Sequence, residues 1–173
     1  VIVASQRGRG GSDPDPSPER YNPAIYVGDM LALLTRLGVE RAVFVGTSMG
    51  GLMTMIAASL APQRLAAAVL SDVGPEFDPA GIARIQAYAG KIASAASWQE
   101  AVRQRRDIHS VAFPNETDDA FWIKFAKRTY RERPEGGVAL DYDPNIARTV
   151  QPGSSALTDL WPLFGALKPI PML

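Results

Sequence analysis

The first part of the chain alternates apolar runs with helical stripes. Val1 to Ser5 is a short apolar run that reads as a buried strand. Gln6 to Glu19 is polar and rich in Gly, Ser and Pro, as expected of an ordered surface loop between stronger elements. Asn22-Pro23 supplies a cap residue and a proline at the first helical position. Val27, Met30, Leu31, Leu34 and Leu37 then hold one apolar face at helical spacing, and Gly38 ends the helix. Arg41 leads into Ala42-Val43-Phe44-Val45, a continuous apolar run that suits a strand buried on both faces. Gly51 to Leu60 reads as a second helix, stopped by Ala61-Pro62, and Leu65 to Leu70 as another strand, followed by S-D-V-G-P. This alternation predicts an α/β fold with a parallel sheet.

From Glu76 the pattern changes. Ile82 to Ile92, Trp98 to Ile108 and Asp118 to Arg131 carry helical spacing, separated by Pro and Gly breaks, and no strand pattern returns until the C-terminus. Trp98, Phe113, Phe121, Trp122 and Phe125 concentrate here and are expected to pack the insertion itself. Pro144 to Thr149 and Leu157 to Leu167 predict two further short helices, and Ile170 to Leu173 the opening of a strand. The organisation is therefore read as a core part over 1–75, a helical cap over 76–150, and a return to the core over 151–173. Because the chain opens and closes inside strand-like runs, it is expected to be a fragment.

The stretch V-F-V-G-T-S-M-G-G-L, Val43 to Leu52, carries the candidate chemistry. Gly46, Ser48 and Gly50 match G-x-S-x-G, and the match lies where this motif must lie, directly after a strand and directly before a helix. A sharp strand-to-helix turn forces the serine into strained backbone geometry. It also calls for small neighbours two positions to either side, which Gly46 and Gly50 provide. Gly51 is expected to allow close helix-to-sheet packing. The turn would present Ser48 at the C-terminal edge of the sheet, with a helix N-terminus behind it to favour developing negative charge. The Met49 amide, next after the serine, could donate to an oxyanion. No Lys follows Gly51 and no G-x-G-x-x-G is present, so a phosphate loop is excluded.

Composition narrows the rest. The chain has 173 residues, 46% of them apolar and 21% charged, in the range of a globular domain. Eighteen Lys and Arg balance eighteen Asp and Glu, which leaves no basic footprint for nucleic acid despite the short R-G-R-G-G run at Arg7 to Gly11. There is no Cys and a single histidine, His109, so neither a disulfide framework nor a Cys or His metal site is expected, and no cofactor is called for. The apolar stretch Gly51 to Leu70 is broken by Pro62, Gln63 and Arg64 and is not a membrane span. With no charged and apolar leader in view, a cytoplasmic protein is expected. Nothing in the sequence specifies an oligomeric state.

The chain resembles the α/β-hydrolase fold family over nearly its whole length. R-G-R-G-G-S-D is similar to the family's loop after its fourth strand. Y-V-G-D-M-L-A-L-L-T-R-L-G-V is similar to the helix before the nucleophile elbow, and V-F-V-G-T-S-M-G-G to the elbow after the fifth strand. V-L-S-D-V-G-P is similar to the end of the sixth strand, where the cap begins, and K-P-I-P-M-L to the lead into the seventh. The resemblance implies that Ser48 is the nucleophile and Met49 one oxyanion donor. It also implies a third strand between the fourth and fifth, a second oxyanion donor upstream of Val1, and an acid and a histidine beyond Leu173. Asp72 stands where some members of the family place the acid, and the order Ser48, Asp72, His109 formally fits nucleophile, acid, base. The alternative readings are a structural turn for Asp72 and a cap or surface position for His109.

The expected activity is hydrolysis of a carboxylic ester or related small acyl substrate through an acyl-enzyme on Ser48, with this chain alone inactive or nearly so. A serine rather than a carboxylate at the elbow argues against haloalkane dehalogenase or epoxide hydrolase chemistry. The alternatives are a non-catalytic hydrolase-fold binding protein or inactive fragment, and an acyltransferase or C–C bond hydrolase.

Overall fold

The computed structural model describes residues 1–88, 94–150 and 159–173. Helix α1 spans Pro23–Arg36. Its start is set by Asn22, whose side chain accepts from the Ile25 amide at 3.1 Å, and by the proline that follows. Gly38, at φ 68°, supports the reversal at its end. Strand β1, Ala42–Thr47, runs into helix α2, Met49–Leu60. Strand β2, Leu65–Ser71, lies parallel to β1 with Thr47 level with Ser71. On the far side of β2, Met172 makes a parallel bridge to Ala68, and the Leu70 amide donates to the Leu173 carbonyl at 2.9 Å. The predicted strand opening at the C-terminus thus joins the sheet.

Two expectations about this sheet need correction. Val1 to Ser5 forms no strand among the described residues, and Val1 and Val3 lie open to solvent. Strand β1 is not buried on both faces. Phe44 points into the core, while Val43 and Val45 are 58% and 75% exposed. The core lies on the Phe44 side, where Tyr26, Val27 and Leu34 of α1 meet Met53, Met55 and Ile56 of α2. An apolar run does not say how many faces will find a partner.

Past β2 the chain builds a second cluster. Helices α3 (Pro79–Tyr88), α4 (Trp98–His109) and α5 (Asp119–Thr129) follow the predicted helical segments. The last four residues of the first predicted helix, 89–92, lie outside the described residues. The absence of strands predicted for this region is wrong. Strands β3 (Ser94–Ala95), β4 (Tyr130–Glu132) and β5 (Val138–Leu140) form an antiparallel sheet in the order β3-β5-β4. Strands of two or three residues are too short to show an alternating pattern. This sheet packs on α4 and α5 through Ala95, Ala101, Ala126, Tyr130 and Val138. Pro144–Val150 is a 3-10 helix whose Ile146 returns to the first core. Helix α6 is short, Trp161–Gly165, and the 157–158 end of its predicted span lies outside the described residues.

The polar loop at 6–21 is tied to the residues that follow β5. Arg7 pairs with Asp15 and, at 2.6 Å, with Asp29 of α1. The Gly10 amide donates to the Asp141 carbonyl at 3.0 Å and the Asp143 amide to the Gly8 carbonyl at 2.7 Å. Tyr21, 1% exposed, donates its hydroxyl to the Asp143 carboxylate and accepts from the Asp15 amide at 2.6 Å. The two arginines of the R-G-R-G-G run are held within this network, Arg7 by its carboxylates and Arg9 against the ring and hydroxyl of Tyr26.

Candidate active site

The elbow forms because β1 has to become α2 within one residue. Ser48 is that residue. Its φ of 50° lies in the left-handed region, where a side-chain-bearing residue is strained by about 1–3 kcal/mol. The Ser48 amide donates to the Ser71 carbonyl at 3.0 Å, while its own carbonyl accepts from Gly51 and Leu52 at 2.9 and 3.1 Å. The backbone is therefore fixed on both sides and the side chain is left exposed.

The glycines around it do different things. A Cβ on Gly46 would lie 2.3 Å from the Gly50 carbonyl carbon and oxygen and 2.5 Å from the Gly51 nitrogen, so the strand end and the helix start touch there backbone to backbone. A Cβ on Gly51 would lie 2.2 Å from the Val73 side chain and 3.3 Å from the Gly46 oxygen, so close packing at this position is real. Gly50 departs from expectation, since nothing lies within 4 Å of where its Cβ would be. The steric demand falls on one side of the serine only, because α2 leans back over Gly46 while position 50 opens outward.

Met49 is the first residue of α2, so its amide has no carbonyl four residues back inside the helix to bond. Its side chain packs on the core and its N–H belongs to the positive end of the helix. Asp72 follows Ser71 just as Ser48 follows Thr47, so the parallel register sets Asp72 and Ser48 level at the C-terminal edge of the sheet. Asp72 is also exposed and left-handed, with φ 54°. Ser71 and Val73, which sequence reasoning did not single out, complete the elbow as the anchor for the Ser48 amide and the cover of Gly51. Their only sequence signal is their place after an apolar run.

His109 closes α4 in the second cluster. Its ring meets Phe125 edge-on at 5.0 Å, and its Nε2 lies 3.5 Å from an Arg105 nitrogen. Burial, then the charges of Arg105 and Arg84, push it below the ordinary histidine value, so the ring is held neutral near pH 7. The elbow thus brings Ser48, Met49 and Asp72 together, and the contacts described for His109 are with Arg105 of α4 and Phe125 of α5. Among the described residues no group of three or more His, Cys, Asp or Glu is placed to hold a metal ion, and no helix is long and apolar enough to cross a membrane.

Comparison with known proteins bears on the fold. The family profile of the alpha/beta hydrolase fold matches residues 1–138. The chain is 31% identical to a 3-hydroxybutyrate-oligomer hydrolase of Cupriavidus necator over 97% of its own length and 59% of that protein's. It superimposes on the crystal structure of an alpha/beta hydrolase from Novosphingobium aromaticivorans with a TM-score of 0.87 and 42% identity, over 97% of this chain and 59% of that one. A shorter match, 35% identical over 69 residues, covers 40% of this chain and 22% of epoxide hydrolase 2 of Siraitia grosvenorii. The chain thus spans 59% of the curated relative that it matches along nearly all its length.

Proposed function

The chain belongs to the α/β-hydrolase fold family, and from that premise we propose that it carries the nucleophilic half of a serine hydrolase acting on carboxylic esters. The observation that carries this reading is Ser48 itself, a serine held at φ 50° at the strand-to-helix turn, with its side chain exposed and its backbone fixed on both sides. Strain of this kind persists only where the surroundings impose it.

In the proposed reaction Ser48 Oγ attacks the ester carbonyl while a general base takes its proton. The Met49 N–H, at the positive end of α2, stabilises the tetrahedral oxyanion. Collapse expels the alcohol, which takes up the proton, and water then cleaves the acyl-enzyme to free the acid. Asp72, level with Ser48 at this edge, is read as the carboxylate that would orient the base, the other reading being a residue that only shapes its turn. His109 is the one histidine of the sequence, and its described contacts are with Phe125 and Arg105. The chain by itself is therefore expected to turn over esters slowly or not at all.

The substrate class favoured is a small hydroxyacyl ester, supported by the likeness to the 3-hydroxybutyrate-oligomer hydrolase over 97% of this chain. The partial likeness to an epoxide hydrolase weighs less, because that chemistry in this fold uses a carboxylate nucleophile and position 48 is serine. A fluorophosphonate probe followed by peptide mapping tests the proposal. Label is expected on Ser48 and on no other residue, and it should vanish in Ser48→Ala. Label elsewhere, or an unchanged signal in Ser48→Ala, would overturn it.

A further inference from the structure

The cap carries a cavity of about 430 Å³ lined entirely by α4 and α5, with no residue of β1, α2 or the loop after β2. Two helical stripes form it. Trp98, Val102 and Arg106 recur every four residues on α4, and Asp119, Ile123 and Lys127 every four on α5. The ion pair between Arg106 and Asp119 closes one end. Because that pair joins the last turn of α4 to the first of α5, the stripes run in opposite directions, so Val102 comes level with Ile123 and Trp98 with Lys127. The middle is apolar, and Ile123 is 44% exposed there.

The open end carries two cations, Arg103 and Lys127, and two carboxylates that are already hydrogen-bonded: Glu132 accepts from the Trp98 N–H at 3.1 Å, and Glu100 accepts from the Ala96 amide at 2.8 Å. Arg103 reaches Glu100 only at 3.8 Å and keeps 70% of its side chain exposed. Lys127 has no carboxylate within ion-pair distance among the described residues. A groove with an apolar floor and two available cations is complementary to one kind of small ligand, an anion with an apolar body. Its volume lies in the range of small-molecule sites.

We propose that the α4–α5 groove binds an amphiphilic monocarboxylate, with its carboxylate at Arg103 and Lys127 and its chain along Trp98, Val102 and Ile123. The site is separate from Ser48 and does not depend on the reading of Ser48 as a nucleophile.

The test is calorimetric titration of the whole protein with octanoate, 1-octanol and octylamine, which share the apolar body and differ in charge. Octanoate is expected to saturate one site and to bind about tenfold or more tighter than octanol, with octylamine weaker still. The double variant Arg103→Glu, Lys127→Glu changes exposed side chains only, so it should keep its melting temperature and lose about tenfold or more in octanoate affinity. Ser48→Ala should bind as the parent does. Equal binding of octanol and octanoate, an undiminished affinity in the double variant, or loss of binding in Ser48→Ala would each overturn the proposal. So would capture by phosphatidylglycerol vesicles without any binding of free octanoate.

Discussion

Gly46→Ala is the sharpest perturbation of the elbow, because its cost is set by backbone rather than by a side chain that can turn away. The new methyl would lie 2.3 Å from two atoms of Gly50 and 2.5 Å from the Gly51 nitrogen, where ordinary contact begins at 3.4 Å. The end of β1 and the start of α2 must therefore separate by about 1 Å, against the ladder to β2 and the packing of α2 on the core. Overpacking of a tight site costs about 1–3 kcal/mol, and three immovable backbone atoms put this case at the upper end. For a chain of this size, 3 kcal/mol corresponds to a fall of about 6–12 °C in melting temperature. The same shift displaces Ser48 and the Met49 amide, and a misplacement of about 1 Å in a reacting group can cost on the order of a hundredfold in rate. Fluorophosphonate labelling of Ser48 should slow accordingly. Gly50→Ala is the internal control. With open space around it in the first turn of α2, it should be neutral or gain up to about 1 kcal/mol from helix propensity. A thermal melt of the two variants decides. Equal melting temperatures, or a larger loss in Gly50→Ala, would refute the account of the elbow.

The other predictions address strain, the loop network and the histidine. Ser48→Gly should abolish labelling and yet raise stability by about 1 kcal/mol in urea unfolding, because glycine relieves the left-handed strain. Tyr21→Phe should cost about 1–3 kcal/mol, since it strands the buried Asp15 amide and removes the bond to Asp143. That cost should shrink with acid. The Tyr21 hydroxyl, then the Asn145 amide, holds the Asp143 carboxyl below its ordinary value, so the contribution is complete above about pH 3.8 and is lost as pH falls through the depressed folded value. Urea unfolding at pH 7 and pH 3 measures it, and an unchanged gap between parent and variant would sink the coupling. His109→Ala should leave Ser48 labelling nearly unchanged, whereas rapid ester turnover abolished by this variant would establish Ser48, Asp72 and His109 as a working triad.

What was legible in the sequence was local. The cap at Asn22-Pro23, the apolar stripe from Val27 to Leu34 and the strand–turn–helix around Ser48 are written within a few neighbouring residues, and the structure follows them. What was not legible depends on residues far apart in the chain. The strands Ser94–Ala95, Tyr130–Glu132 and Val138–Leu140 are defined by pairing rather than by pattern, although Pro134 and the Gly136-Gly137 pair mark the turn between the last two. Tyr21 and Asp143 meet across 122 positions, and neither residue type announces that contact.

The elbow shows the same limit at close range. Gly46 and Gly50 look alike in the sequence, and both satisfy the motif. Only the lean of α2 over the end of β1 gives one of them a steric reason and leaves the other without. Asp72 likewise looks like an ordinary turn residue after S-D. The parallel register of β1 and β2 raises its significance, because it brings two left-handed, exposed residues, Ser48 and Asp72, to the same level of the sheet edge. Two strained turns side by side each cost stability, and each aims an exposed polar side chain from a fixed backbone. If Asp72 only shapes its turn, Asp72→Gly should relieve strain and leave the chemistry at Ser48 intact. If it orients the base, Asp72→Gly and Asp72→Asn should both slow turnover in a form of the protein that hydrolyses esters, and Asp72→Asn should do so without altering the melt.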